Sequence, residues 1–323
     1  MIEEDVEVFK RKALWDKLVF LLYFCGVCAV LLAPMLLLMI FAFSLPGRIA
    51  PLFSLAIFVV ALILITRMGE SMMVAVTDAA AADPEQQQIL ENMADDVCIA
   101  TGKPFPVLML IDDPHACNMF SIKRGKRAVI FFTRGMQEHL DDDQLRSALA
   151  HEMAHIYQGD AAVNNLAISF MAFTRRSWFS KPAGTSTHRY ILSDLLPTVL
   201  FIAAFFVSLW FVEYFYIFLA GVIIPIYLIF GLCFCYPLLL PAISRNRDFM
   251  ADELAAKLTL QPEALISAIR EAEACDRSDR LSFLQWMTFV PAAEMVGRRY
   301  QRLPGVEQRI DNLERAFRIQ EEI

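Results

Sequence analysis

The chain has 323 residues, 57% of them apolar and only 20% charged, with a net charge of −7. Ordinary soluble domains are about 45–50% apolar, so a purely water-soluble protein, a disordered chain and a small secreted disulfide scaffold are all excluded. The length suggests about two domains. No basic stripe with interleaved aromatics occurs, so nucleic acid is not expected as a partner.

Residues 1–17 form a charged N-terminal segment. Residues 18–45 and 49–66 then carry no charge at all, with Pro46-Gly47-Arg48 between them as a tight turn. A bilayer-crossing helix needs about 20 apolar residues, so 18–66 is predicted to be a transmembrane hairpin. Residues 195–243 contain one charge, Glu213, and predict a second hairpin, making four transmembrane helices in all. Glu213 reads as an acid at the hairpin tip rather than a working intramembrane carboxylate. Lys10, Arg11, Lys12 and Lys17 precede the first span, and Arg67 follows the second. Arg175, Arg176, Lys181 and Arg189 precede the third, and Arg245 and Arg247 follow the fourth. Basic flanks stay on the inner side, which predicts a multi-pass plasma (inner) membrane protein with both termini and the polar regions in the cytoplasm. The seven cysteines are odd in number and scattered. Four of them lie inside apolar runs, and the Cys25-x-x-Cys28 pair reads as small apolar fillers rather than a zinc or redox spacing. The soluble part is expected in a reducing compartment.

The polar region 67–194 opens on a helical stretch rich in Ala, Met and Gln, broken at Pro104-Phe-Pro106. Val107–Ile111, Cys117–Phe120 and Ala128–Phe132 read as short strands, the last two joined by a basic turn at 123–127. Asp141-Asp142-Asp143 marks the start of a helix through Leu145, Leu149 and Ile156, with Gly159-Asp160 loosening or ending it. Residues 176–194, with Pro182, Gly184 and a Ser/Thr cluster, are expected to form a mobile loop. Beyond the second hairpin, 244–323 is helical in pattern over 245–275 and 306–320. Trp286, Met287 and Phe289 read as core.

Chemistry concentrates at His151-Glu152-Met153-Ala154-His155. On a helix the two histidines lie one turn apart on one face, so both imidazoles reach one metal ion while Glu152 stands beside them to handle a proton. The bland alternative is two exposed histidines on an ordinary amphipathic helix. A catalytic zinc needs a third protein ligand, and the best stretch is Ser244–Glu253, where Asp248 and Asp252 share a helix face. One would ligate Zn2+ and the other orient a histidine through its second ring nitrogen; the alternative is two acids that merely cap a helix.

The run Leu145–His155 with Gly159-Asp160, and Ser244-Arg245…Asp248…Ala251-Asp252 after the second hairpin, resemble the two motifs of the HtpX family of membrane zinc metallopeptidases. That family is related to the type I CAAX prenyl proteases. The resemblance covers nearly the whole chain and implies a zincin-like α+β catalytic domain, mainly α with a small β-sheet. It implies one zinc held by His151, His155 and Asp248, with Asp252 behind them. It also implies Glu152 as catalytic base and a substrate cleft bordered by Asn118 and Phe120. The implied role is hydrolysis of polypeptides, misfolded membrane proteins above all, in quality control at the lipid bilayer. Two departures stand out. Asp248 replaces the family's glutamate ligand, and Leu303 stands where relatives carry a histidine. Arg309 is then the candidate to stabilise the transition state, or else it forms a surface salt bridge with Glu307 or Asp311. These departures motivate the alternative of a catalytically degenerate membrane scaffold or adaptor. A transporter is disfavoured, because the spans carry a single acid.

Overall fold

The computed structural model describes residues 14, 18–22, 24–26, 29, 50–178, 246–278, 281, 284, 287–290 and 304–317. The predicted second hairpin, Glu213 and Leu303 lie outside them, as do most of the first span and residues 179–194. A helix α1 (Ala50–Thr77) takes up the predicted second span and runs on past Arg67. Among the described residues no helix is long and apolar enough to cross a membrane.

The chain divides into two compact units. One comprises Met1–Val19, Thr77–Leu166 and Pro241–Ile323, the other Phe20–Val76 and Ala167–Leu240. The HExxH sequence lies in the first, which opens with the two-residue strand β1 (Ala80–Ala81) and the helices α2 (Pro84–Met93) and α3 (Asp95–Thr101). Strands β2 (Val107–Ile111), β3 (Met119–Arg124) and β4 (Arg127–Thr133) complete a four-stranded sheet in the order β1-β2-β4-β3. β2 runs parallel to β4, whereas β3 pairs antiparallel to it with Phe120 opposite Phe131. Gly125, at φ 60°, supplies the left-handed first position of the two-residue turn between β3 and β4. Val129 to Phe132 are all buried, the pattern of a strand covered on both faces. β3 is the sheet's edge.

Four more helices follow β4 or return to its side: α4 (Arg134–His139), α5 (Asp142–Gln158), α6 (Asp160–Trp178) and, after the undescribed stretch, α7 (Asn246–Thr259). The stretch 245–275, helical in pattern, forms two helices. α7 stops at Leu260, which takes φ 56°, and α8 (Pro262–Cys275) restarts with Pro262 at its first position, where proline lacks nothing the helix needs. Residues 176–178, expected in the loop, are the last turn of α6. The final helix α9 (Val306–Phe317) puts Ile310 and Leu313 into the core shared with α5, α7 and α8.

Candidate active site

The site is built on α5, and both ends of that helix are fixed by its sequence. The Asp141 carboxylate accepts from the Gln144 amide at 2.9 Å and the Gln144 side chain accepts from the Asp141 amide at 3.0 Å. This reciprocal cap satisfies two of the N-terminal donors. At the other end Gly159 adopts φ 88° and donates to the His155 carbonyl, a cap that favours glycine. Between them His151, Glu152 and His155 are each 3% exposed or less.

The imidazoles point at one another, with Nε2 of His151 and Nε2 of His155 separated by 3.1 Å. Each ring faces a carboxylate with its other nitrogen. Nδ1 of His151 lies 2.8 Å from Asp252, and Nδ1 of His155 lies 3.4 Å from Asp160. A proton held at each Nδ1 leaves both Nε2 lone pairs directed at the same small space. Asp248 reaches this space from α7, its Oδ1 lying 3.6 Å from Nε2 of His155. The same Asp248 Oδ1 lies 3.4 Å from Nε of Arg247, which supplies a positive charge beside it. Among the described residues no group of three or more His, Cys, Asp or Glu side chains is placed so as to hold a metal ion. The two spacings, 3.1 and 3.6 Å, lie either side of the about 3.3 Å that separates donors about 2.05 Å from a tetrahedral zinc ion.

Glu152 is the other sign of missing chemistry. It is 1% exposed, and neither of its carboxylate oxygens has a hydrogen-bond partner. A buried carboxylate without donors is costly, so this group is arranged for something that arrives.

Asp252 is held from behind. Arg309, 2% exposed, donates from Nε to Oδ2 at 2.7 Å and from Nη2 to Oδ1 at 2.6 Å, and its third bond goes to the Phe289 carbonyl. Burial alone would raise the Asp252 pKa, but Arg309 and His151 outweigh it and hold the carboxyl well below the usual range. For His151 burial wins and its pKa falls, whereas Asp160 and the Glu152 charge overcome burial at His155 and raise it. Arg309 is thus no surface ion pair with Glu307 or Asp311, and Asp311 pairs instead with Arg315. Its guanidinium is committed to Asp252 rather than aimed at the space between the imidazoles.

A family model described as Peptidase family M48 matches residues 80–316. The chain belongs to peptidase family M48. A protein named "Protease HtpX homolog" from Tropheryma whipplei (strain Twist) is 28% identical over 195 residues, covering 57% of this chain and 56% of the relative. Another of that name, from Caldanaerobacter subterraneus subsp. tengcongensis, is 28% identical over 201 residues, 60% of this chain and 59% of the relative. The chain thus spans somewhat over half the length of these M48 relatives. Ste24p of S. mikatae superposes on 94% of this chain and 66% of its own at a TM-score of 0.40 and 18% identity, too loosely to carry an argument.

The remaining expected residues of this M48 site fall at the edge strand. Asn118, just before β3, is 2% exposed and fully engaged. Its Nδ2 donates to Asp276 at 2.9 Å and to the Val290 carbonyl at 2.6 Å, and its Oδ1 accepts from Val290 and Met119. Phe120 is fully buried and stacks on Phe131 with ring centres 4.9 Å apart, so its ring presents no open face to a substrate. Three partners escaped the sequence. Phe289 sets its ring edge-on to His151 at 5.1 Å. Buried Arg247 donates to Asn164 at 2.8 Å, and Asn164 donates to the Ser121 carbonyl of β3 at 3.1 Å. Cys117 and Cys275 form a disulfide across 158 residues, a pairing not expected from the sequence. An odd, unpatterned cysteine set carries no pairing signal.

Proposed function

We propose that the protein is a membrane-anchored zinc metalloendopeptidase. The reading rests above all on Glu152, a buried carboxylate without donors, standing beside two imidazoles whose Nε2 atoms converge. His151, His155 and Asp248 would hold the zinc. Bound there, the metal supplies Lewis acidity towards a peptide carbonyl and activates a water for attack.

The chain's own residues do the rest. Glu152 accepts the proton that the attacking water gives up and returns it to the departing amine, acting first as base and then as acid. Asp252 and Asp160 keep the two imidazoles in the tautomer that presents Nε2. Arg309 fixes Asp252 and so acts as a positioning residue rather than a catalytic one. The hairpins expected over 18–66 and 195–243 would hold this unit at the cytoplasmic face of the bilayer, which suits the removal of misfolded membrane polypeptides.

The test is Glu152→Gln. It should retain one zinc per chain by elemental analysis and cut a casein substrate at about a thousandth of the wild-type rate, within the roughly 10²–10⁴-fold that general acid–base assistance contributes. Cleavage at the wild-type rate refutes the mechanism. The second reading, a non-catalytic scaffold, draws support from Phe289, which packs against His151; zinc binding without cleavage by the wild-type protein would establish it.

A further inference from the structure

β3 is the edge of its sheet, and an edge strand beside the HExxH helix is where an extended peptide would add itself by backbone hydrogen bonds. That edge is already in use. The carbonyl of Asn118 points inward to the Thr133 amide, so Met119 is the residue whose backbone faces out. The Met119 carbonyl accepts from the Phe289 amide at 2.8 Å. Next to it the Asn118 side chain takes both backbone groups of Val290, accepting its N–H at 3.1 Å and donating to its C=O at 2.6 Å. A primary amide that meets an N–H and a C=O of one residue reproduces the pairing of a neighbouring strand. Phe289 meanwhile sets its ring edge-on against His151, with centres 5.1 Å apart.

The same asparagine is tied to the disulfide. Cys117 precedes Asn118, and Cys275 precedes Asp276. The Asp276 carboxylate accepts from the Asn118 Nδ2 at 2.9 Å and from the Cys117 amide at 3.4 Å. Beyond it the Arg277 amide donates to the His115 carbonyl, and Ser278 bonds Asp113. The S–S bond therefore holds Asp276 where it fixes the orientation of the Asn118 amide, and that amide holds Val290.

We propose that Phe289 and Val290 occupy the substrate-pairing edge of β3 as a built-in competitor, latched by the Cys117–Cys275 disulfide and released by its reduction. This rests on the peptidase reading for its functional half only. In a cell the reductant is a dithiol. Its thiolate attacks one cysteine sulfur, expelling the other as a thiolate and forming a mixed disulfide, and its second thiol then cleaves that mixed disulfide. Two thiols are thereby left on this chain, and the reductant departs as a disulfide. In vitro a trialkylphosphine does the same work without competing for zinc. Phosphorus gives two electrons to the S–S bond, water supplies the oxygen of the phosphine oxide, and its two protons go to the thiols.

The experiment uses the full chain in detergent, loaded with zinc and purified without reductant. Alkylation after phosphine treatment should add two labels not gained before it. Amide exchange at Phe289 and Val290 should then accelerate by about tenfold, the effect of losing one to two net hydrogen bonds. KM for a quenched peptide should fall by a similar factor with kcat and zinc content unchanged. Reoxidation should reverse all of it, and the double variant Cys117→Ala/Cys275→Ala should match the reduced state without any phosphine. Full alkylation before reduction overturns the proposal, as does exchange at 289–290 that ignores reduction. Faster exchange with an unchanged KM overturns the competitor role. Faster exchange with no cleavage in either state refutes the peptidase reading and leaves the latch standing.

Discussion

Arg309→Met separates a positioning arginine from an incidental one. Arg309 and Asp252 are 2% and 0% exposed, and they share two hydrogen bonds of 2.7 and 2.6 Å. Removing the guanidinium leaves Asp252 buried with only His151 against it, and frees the Phe289 carbonyl from its donor. Breaking one side of a buried ion pair costs about 3–5 kcal/mol. In a unit of roughly 190 residues each kcal/mol lowers Tm by about 2–4 °C, so a drop on the order of 10 °C is expected. Arg309→Lys should recover little of it, because an ammonium cannot reproduce the two parallel bonds. The assay is thermal unfolding in detergent, run on zinc-free protein so that lost metal does not enter the result. A double variant with Asp252→Asn closes the cycle, and its loss should fall short of the summed single losses by about 2 kcal/mol. A Tm within about 2 °C of wild type for Arg309→Met, or strictly additive losses, would refute the buried-pair reasoning.

Three further outcomes follow from the geometry, beside the Glu152→Gln result. A Cβ at Gly135 would lie 2.3 Å from the Ala116 carbonyl oxygen and 2.9 Å from that of Pro114. These are backbone atoms that cannot rotate away, so Gly135→Ala should cost about 2–3 kcal/mol in a urea melt, and an unchanged midpoint contradicts the close approach. Asp248→Asn removes a charged donor and should weaken zinc by more than the roughly 10–100-fold typical of an outer-shell change, read by competition with a chromophoric chelator; wild-type affinity excludes Asp248 as a ligand. Asp252 has its pKa depressed in the folded protein, so its contribution is present above its unfolded value near about 3.9 and lost as pH falls below it. Zinc-free protein should therefore lose stability on acidification below about pH 4, with a shallower slope in Asp252→Asn; identical slopes rule out this linkage.

The sequence shows the α5 half of the site more clearly than the rest, for physical reasons. Helix starts and stops are local. Asp141 with Gln144 three residues on, and Gly159 one residue past the end, are written within one stretch of chain, as is the one-turn spacing of His151 and His155. The strands were legible because Val107–Ile111 and Ala128–Phe132 are apolar runs bounded by turn residues. Pro262 is the local signal for the break between α7 and α8. The tertiary partners had no such signal. Whether Arg309 meets Glu307, Asp311 or Asp252 depends on which face of α9 turns inward, and Ile310 and Leu313 settle that only once α7 is present. The Cys117–Cys275 pairing and the Phe289–His151 contact join positions more than a hundred residues apart, with nothing in either local context to announce the other.

The shorter carboxylate at 248 is the point where local chemistry and packing must agree. An aspartate in place of a glutamate loses one methylene of reach, so it serves only if α7 comes nearer to α5. Both helices carry small residues where they meet. Ala148 and Ala154 on α5, and Ala251 and Ala255 on α7, are fully buried in one shared core. Gln158 near the end of α5 donates to the Met250 carbonyl of α7 at 3.0 Å. Alanine contacts let two helix axes approach towards the lower end of the usual 8–10 Å range. The Asp248 Oδ1 lies 3.6 Å from the His155 imidazole. Small buried residues on both helices are what the proposed shorter ligand would need, since they let the two axes come close.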